Sequence, residues 1–139
     1  MIILDTDVLS EAMRDTPDHR FSTWFDGLPR LLVWTTAISL LEIRFGIERL
    51  PTGRRRSALA SALERTVTDD LDGRIIAFDT EAASETAILM AQRQRTGRPG
   101  DLRDSMIAGI AIAHRATLAT RNTRHFADLP LPVIDPWTA

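Results

Sequence analysis

The sequence contains neither cysteine nor lysine, and each absence excludes a kind of chemistry. Without cysteine there can be no disulfide, no thiolate zinc site and no cysteine nucleophile. Without lysine there is no Schiff-base catalyst, no lysine base and no lysine of a phosphate-binding P-loop. The three histidines are not paired at the four-residue spacing of helical metal ligands: His19, His114 and His125. We therefore expect oxygen atoms to be the main ligands of any bound metal.

The chain also has no apolar run near the roughly 18 residues that a membrane span requires. Its N-terminus has no basic region or cleavage site of the kind found in secretory signals. With 44% hydrophobic and 26% charged residues, the composition is typical of a soluble globular protein. We expect one cytoplasmic domain spanning residues 1–139. The net charge of −2 provides no global attraction for nucleic acid, so local arginines and a metal would have to hold an RNA substrate.

Short apolar segments alternate along the chain with segments of helical periodicity. Strands are predicted at residues 2–4, 31–35, 74–78, 117–120 and 132–135. Helices are predicted at residues 8–14, 19–27, 37–50, 54–71, 80–96 and 102–116. Strands separated by helices predict an α/β fold, in which a central parallel sheet of about four or five strands is flanked by helices on both faces.

Polar residues follow the predicted strands, at the edge where parallel sheets bind their ligands. They are Asp5, Thr35, Thr36, Asp79, Thr120 and Asn122. Glu42 and Asp104 lie on predicted helices that begin near the same edge. We therefore expect polar groups from several separate segments to meet there.

Each of these residues also has a purely structural explanation. Asp5 and Asp7 suit the N-cap and the first turn of the helix that follows them. The segment SLLE at 39–42 matches a capping box, and DLRD at 101–104 approximates one. Capping does not predict that groups from separate segments should converge, so convergence would favour a functional site.

Converging carboxylates would require a compensating cation. Two carboxylates about 4 Å apart repel by roughly 1 kcal/mol in water and by roughly 4 kcal/mol at an effective dielectric constant of about 20. Oxygen ligands without thiolate or paired histidine favour Mg²⁺ or Mn²⁺ over zinc. Such a cation lowers the pKa of a coordinated water and polarises phosphoryl oxygens. The expected chemistry is phosphodiester hydrolysis.

Five segments occur in order along the chain: MIILDTDVLSE, TTAISLLEIRFGIERL, DLRDSMIAGIAIAH, TLATRNTRHF and VIDPW. Together they resemble the PIN-domain ribonucleases, specifically the VapC toxins of bacterial type II toxin-antitoxin pairs and their FitB-like subgroup. The resemblance spans nearly the whole chain. It implies a PIN-like fold and a Mg²⁺-dependent endoribonuclease that hydrolyses RNA with a metal-activated water.

The resemblance also implies roles for individual residues. Asp5, Glu42 and Asp104 would form the catalytic acidic site. Asp5 and Asp104 would contact Mg²⁺, for which Mn²⁺ could substitute. Thr6 and Thr120 would orient ligands or waters as neighbouring polar supports.

Two positions depart from the pattern of the family. Asn122 stands where many PIN domains have a fourth aspartate. Its neutral amide can hold a water-bound ion but should bind a second metal poorly, which leaves the number of metal ions open. Asp7 stands where relatives often have asparagine. It either restores negative charge to the site or caps its helix, and of the two we favour the cap.

The resemblance further implies a homodimer and a small VapB-like antitoxin whose C-terminal segment covers the acidic groove. The two proteins would form a hetero-oligomer that reaches operator DNA only through the antitoxin. Arginines that could contact RNA phosphates are Arg54, Arg55, Arg56, Arg93, Arg95 and Arg98. Solvated helix faces explain the same arginines, and we favour that interpretation.

Two other functions are compatible with the sequence. The first is a catalytically silent PIN-fold module that acts on nucleic acid only in complex with its antitoxin, as Asn122 would allow. The second is a haloacid-dehalogenase-like phosphatase, because LDTDVLS approximates the nucleophile motif of that family. Leu9 stands where that motif has threonine or valine, and its downstream lysine is absent.

Overall fold

A computed structural model describes all residues, Met1–Ala139, and contains one five-stranded parallel sheet with six α-helices. The strands are β1 (Ile2–Leu4), β2 (Val33–Thr36), β3 (Ile75–Ile76), β4 (Thr117–Ala119) and β5 (Val133–Ile134), in the order β3-β2-β1-β4-β5. The helices are α1 (Thr6–Ala12), α2 (His19–Asp26), α3 (Ala37–Glu48), α4 (Arg54–Arg65), α5 (Thr80–Arg95) and α6 (Leu102–Ala113). No helix has both the length and the apolar character needed to cross a membrane. The predicted α/β fold is confirmed.

The ends of several elements differ from the prediction for local reasons. α1 begins two residues early because Asp5 accepts a hydrogen bond from Thr6 N and caps it. β2 begins late because Arg30–Leu32 forms a 3-10 turn. The predicted helix 54–71 is α-helical only to Arg65, and Thr66–Asp70 widens into a π-helical turn. β3 is reduced to two residues because it lies at the edge of the sheet and pairs only with β2.

The central strand β1 separates two hydrophobic cores. Its side chains alternate across the sheet. Ile3 packs on one face among residues of α5 and α6, and Leu4 packs on the other among residues of α1 to α4. The sheet therefore has helices on both faces, as the sequence predicts.

The register of the sheet places the polar residues at one edge. Leu4 of β1 is level with Thr35 of β2 and with Ala119 of β4. The ladder continues past the end of β1, where Asp5 N donates to Ala119 O at 2.9 Å. Asp5 and Thr120 therefore leave neighbouring strands side by side.

The most extensive contact between helices is that of α5 with α6, and it includes a close approach at Gly109. A Cβ atom at this position would lie 1.8 Å from Thr86 Oγ1 and 2.8 Å from the backbone oxygen of Ala82. Thr86 cannot easily move, because it is buried and its hydroxyl donates to that same oxygen at 2.7 Å. The two helices therefore meet without an intervening side chain at Gly109.

We expect Gly109→Ala to lower the free energy of unfolding by about 1–3 kcal/mol, because the extra methyl must push the two helices apart. Gly46→Ala is the matched control, since Gly46 also lies inside a helix but its Cβ would meet no atom within 4 Å. That control should raise stability by up to about 1 kcal/mol through helix propensity. Urea denaturation measures both, and equal stabilisation by the two substitutions would contradict the packing argument.

Candidate functional site

Asp5 is the most buried carboxylate at the carboxyl edge of the sheet, with 4% of its surface exposed. Its Oδ1 accepts from Thr6 N at 2.8 Å, and its Oδ2 accepts from Thr120 Oγ1 at 2.7 Å. Burial, with the nearby charge of Asp7, raises the pKa of Asp5 to about 7, although both hydrogen bonds act in the opposite direction. The side chain is thus held in one orientation in a place where its charge is poorly solvated.

Glu42 reaches the same edge from α3. The predicted capping box of residues 39–42 is wrong, because Thr36 is the N-cap residue and its hydroxyl accepts from Ser39 N at 3.0 Å. Glu42 is therefore free for another contact. Its Oε1 accepts from Thr6 Oγ1 at 2.7 Å, and its Oε2 lies 3.7 Å from Arg103 Nη1.

Asp104 comes from the first turn of α6. Asp101 caps this helix, accepting from Arg103 N at 2.8 Å and from Asp104 N at 3.2 Å. Since Asp101 satisfies the helix end, the Asp104 carboxylate does not cap. Its Oδ2 lies 3.1 Å from His125 Nδ1.

Asp7 lies in the first turn of α1, as predicted, and the N-cap position belongs to Asp5. Oδ2 of Asp7 accepts instead from Arg121 N at 3.1 Å and from Asn122 Nδ2 at 3.4 Å. Its Oδ1 is buried and has no hydrogen-bond partner. Burial raises the pKa of Asp7 as well. Asp7 therefore ties α1 to the loop after β4 and adds a poorly compensated charge.

Four carboxylates thus meet at one edge of the sheet, one from the end of β1 and three from helices α1, α3 and α6. We call this region the acidic cleft: Asp5, Asp7, Glu42 and Asp104. No three Asp, Glu or His side chains are close enough to hold a metal ion among themselves. The cleft does fit a hard cation that keeps several waters, because its donors are all oxygen and Asp7 Oδ1 has no partner.

The remaining predicted residues divide between the cleft and the scaffold. Thr120 Oγ1 donates to Asp5 and accepts from Asn122 N at 3.1 Å, so both residues belong to the cleft. Thr35 instead donates to the backbone oxygen of Leu4, within the sheet. Asp79 caps α5 by accepting from Ala82 N at 2.9 Å.

The predicted RNA-contacting arginines are not equivalent. Arg93 is only 4% exposed, and Nε and Nη2 of its guanidinium bind the two carboxylate oxygens of Asp128 at 2.9 and 3.0 Å. Predicting Arg93 as a phosphate contact is therefore wrong. Arg56 donates to Glu48 at 2.6 Å. The others are exposed and form no ion pair: Arg54, Arg55, Arg95 and Arg98.

The structure adds residues that the sequence interpretation missed. His125 contacts Asp104 through its ring, and its backbone oxygen accepts from Arg93 Nη2 at 2.8 Å. Arg93 Nη1 also donates to Ser105 at 3.2 Å. Helical spacing could have indicated that Arg93 is buried, because it lies four residues after Leu89 on the buried face of α5. No comparable signal was available for His125, which sits in a 3-10 turn, Thr123–Phe126.

Comparisons with known proteins agree with this geometry. The family profile of the PIN domain matches residues 2–131. A VapC ribonuclease of Sinorhizobium fredii is 38% identical over 99% of this chain and 98% of that protein. The toxin FitB of Neisseria gonorrhoeae is 34% identical over 99% of each protein. A chain in the structure of FitAB bound to an IR36 DNA fragment superposes with a TM-score of 0.88 and 34% identity, over 99% of this chain and 96% of that one.

Arg93 and Asp128 should respond unequally to substitution, because only the arginine is buried. Asp128→Ala leaves a buried guanidinium without its carboxylate, and we expect it to lower the free energy of unfolding by about 3 kcal/mol. Arg93→Met keeps most of the volume and lets Asp128 turn to solvent, so about 1–2 kcal/mol should be lost. The double variant should recover part of what Asp128→Ala loses. A larger loss from Arg93→Met than from Asp128→Ala, measured by urea denaturation, would contradict this assignment.

The pH dependence of stability provides an independent check of the ion pair between Arg93 and Asp128. The hydrogen bonds from Arg93 hold the pKa of Asp128 below its usual range. The stabilisation is therefore complete above the unfolded pKa of about 4 and is lost as the pH falls through the lowered native pKa. The difference in stability between the wild type and Asp128→Ala should narrow in acid.

Proposed function

The chain belongs to the PIN-domain family of VapC and FitB toxins, and on that premise we propose that it is the ribonuclease toxin of a type II toxin-antitoxin pair. RNA phosphodiesters would be hydrolysed in the acidic cleft with Mg²⁺, or with Mn²⁺ in its place. The observation that carries this proposal is the convergence of Asp5, Glu42 and Asp104 from three separate segments.

A divalent cation fits the charge of the cleft. The burial of Asp5 and its repulsion by Asp7 and Asp104 leave negative charge that few protein groups compensate. Asp5 and Asp104 would hold the ion, with waters completing its ligands. When bound, Mg²⁺ would supply a water of lowered pKa and positive charge opposite the phosphoryl oxygens.

The protein groups would orient the reaction. Thr6 N and Thr120 Oγ1 donate hydrogen bonds to the two oxygens of Asp5, so its carboxylate would face the metal and the substrate in one orientation. Thr6 Oγ1 fixes Oε1 of Glu42. The other oxygen of Glu42 has only a long ion pair to Arg103, and it is available to accept a proton from the attacking water.

This protein has a groove beside Glu42 that would suit an antitoxin segment. A cavity of about 370 Å³ between α1, α3 and α4 is lined by Glu42 together with apolar residues such as Ile43 and Leu59. Leu41 and Phe45, one helical turn apart on α3, are each 54% exposed. An antitoxin segment that covers apolar side chains and carries a basic residue toward the cleft would fit this surface. The proposal includes a homodimer that assembles with the antitoxin, through which it would reach operator DNA.

Membership of the PIN-domain family removes the dehalogenase alternative. A catalytically silent module differs from the proposed enzyme only in turnover. Asn122 is the observation in its favour, since this side chain brings no charge to the cleft. The cleavage assay separates the two functions.

Antitoxin-free protein should cleave single-stranded or structured RNA in Mg²⁺ or Mn²⁺ and lose activity in EDTA. We expect Asp5→Asn, Glu42→Gln and Asp104→Asn each to reduce cleavage by about 100-fold or more, because each removes a charged oxygen needed in the cleft. Asp79→Asn is a control carboxylate substitution outside the cleft and should retain cleavage. Activity that survives all three cleft substitutions would contradict the proposal, and folded wild-type protein without turnover would favour the silent module.

Asp7→Asn distinguishes a charge that attracts the cation from a group essential to the reaction. The amide oxygen can still accept from Arg121 N, so the loop should keep its position while the cleft loses one negative charge. We expect the Mg²⁺ concentration for half-maximal cleavage to rise by about tenfold, with little change in the maximal rate. A titration of cleavage against Mg²⁺ measures both. A loss of maximal rate as large as that of Asp5→Asn would make Asp7 a member of the catalytic group.

A further inference from the structure

A second cavity, of about 250 Å³, opens beside the acidic cleft and shares Asp104 with it. Apart from Pro99 and Gly100, every residue that lines this cavity has a charged or ionisable side chain. Its wall comes from the turn between α5 and α6, from the start of α6 and from the 3-10 turn Thr123–Phe126. A ligand here would be polar and would lie directly next to the reacting groups.

The carboxylates of this cavity are already engaged. Asp128 is bound by Arg93, and Asp101 caps α6. Asp104 lies against His125. Arg98 and Arg124 line the same wall, are exposed and form no ion pair. The cavity therefore presents two exposed arginines that form no ion pair, although Arg98 lies close enough to Asp128 to help lower its pKa.

The buried Arg93 fixes both segments that carry these charges. Its backbone oxygen accepts from Arg98 N at 2.7 Å, and its guanidinium donates to His125 O at 2.8 Å, next to Arg124. Gly100 adopts a left-handed conformation with φ of 66°, and a Cβ there would lie 3.1 Å from Arg93 Nη1. Arg98 and Arg124 thus extend from anchored backbone, which lowers the entropy lost when they bind an anion.

We propose that this cavity binds a backbone phosphate of the RNA adjacent to the scissile one, with Arg98 and Arg124 contacting its oxygens. The inference rests on the proposed ribonuclease function. An arginine guanidinium suits a phosphodiester because it can donate two parallel hydrogen bonds to phosphate oxygens. The contact would be independent of base identity, so it would position the strand rather than select its sequence.

Arginines also line two cavities that adjoin this one. Arg95 and Arg98 line an adjoining cavity on the α5 side, and Arg121 and Arg124 line another on the β4 side. Positive charge therefore continues from this cavity into two adjoining ones, as the binding of a polyanionic strand would require. The groove that contains Arg55 is partly apolar and lies beside Glu42, so its chemistry suits a protein segment better.

RNA binding is measured best in the Asp5→Asn background, where cleavage is blocked, with fluorescein-labelled oligouridylate at several salt concentrations. Arg98→Gln and Arg124→Gln should each weaken binding by about three- to tenfold. Each should also reduce the slope of log affinity against log salt by about 0.7, the value for one phosphate contact on a single strand. Arg20→Gln is the matched control, because Arg20 is exposed on α2, outside these cavities. It should change neither quantity.

In the cleaving protein, the double variant Arg98→Gln/Arg124→Gln should raise KM while leaving kcat within about twofold, since the arginines bind substrate in the ground and transition states alike. If RNA affinity and salt slope are unchanged in the double variant, this inference is overturned. The proposed function would still stand in that case, provided that the wild-type protein cleaves RNA. Weaker antitoxin binding with unchanged RNA binding would assign the cavity to the protein partner and overturn it too. If wild-type protein neither cleaved nor bound RNA, the proposed function itself would fail.

Discussion

The burial of Asp5 is the constraint on which the functional edge depends. β1 lies at the centre of the sheet, between β2 and β4, so the residue that ends it has protein on both sides. A carboxylate in that position loses hydration, and the hydrogen bonds from Thr6 and Thr120 only partly replace it. Burial therefore favours neutralisation of Asp5 by a proton or a bound cation, and the neighbouring charge of Asp7 strengthens that preference.

Arg93 connects the architecture to the acidic cleft without being part of it. Its buried guanidinium joins α5 to Asp128, Ser105 and the backbone of His125. His125 in turn contacts Asp104. The ion pair of the buried Arg93 with Asp128 is thus linked through His125 to Asp104, a carboxylate of the cleft.

Much of this organisation could be predicted from the sequence, because it follows from the periodicity of apolar residues and the topology of parallel sheets. Apolar segments separated by helical patterns predicted the parallel sheet, and the carboxyl-end rule brought Asp5, Glu42 and Asp104 to one edge. Side-chain partners were harder. Ser39 and Glu42 match a capping box by spacing, yet Thr36 stands nearer to the helix end and takes that role. Arg93 is an arginine like its exposed neighbours, and only its tertiary contacts with Asp128 reveal why it is buried.

The anchoring of the turn between α5 and α6 has an evolutionary consequence. Surface loops usually accept insertions and deletions, because little depends on their length. Residues 96–101 differ, since Arg98 N and Gly100 both pack on Arg93, while Asp101 begins the helix that carries Asp104. Adding a residue there would displace either the core arginine or the start of α6. Diversification of this protein by loop length should therefore occur at connections other than this one.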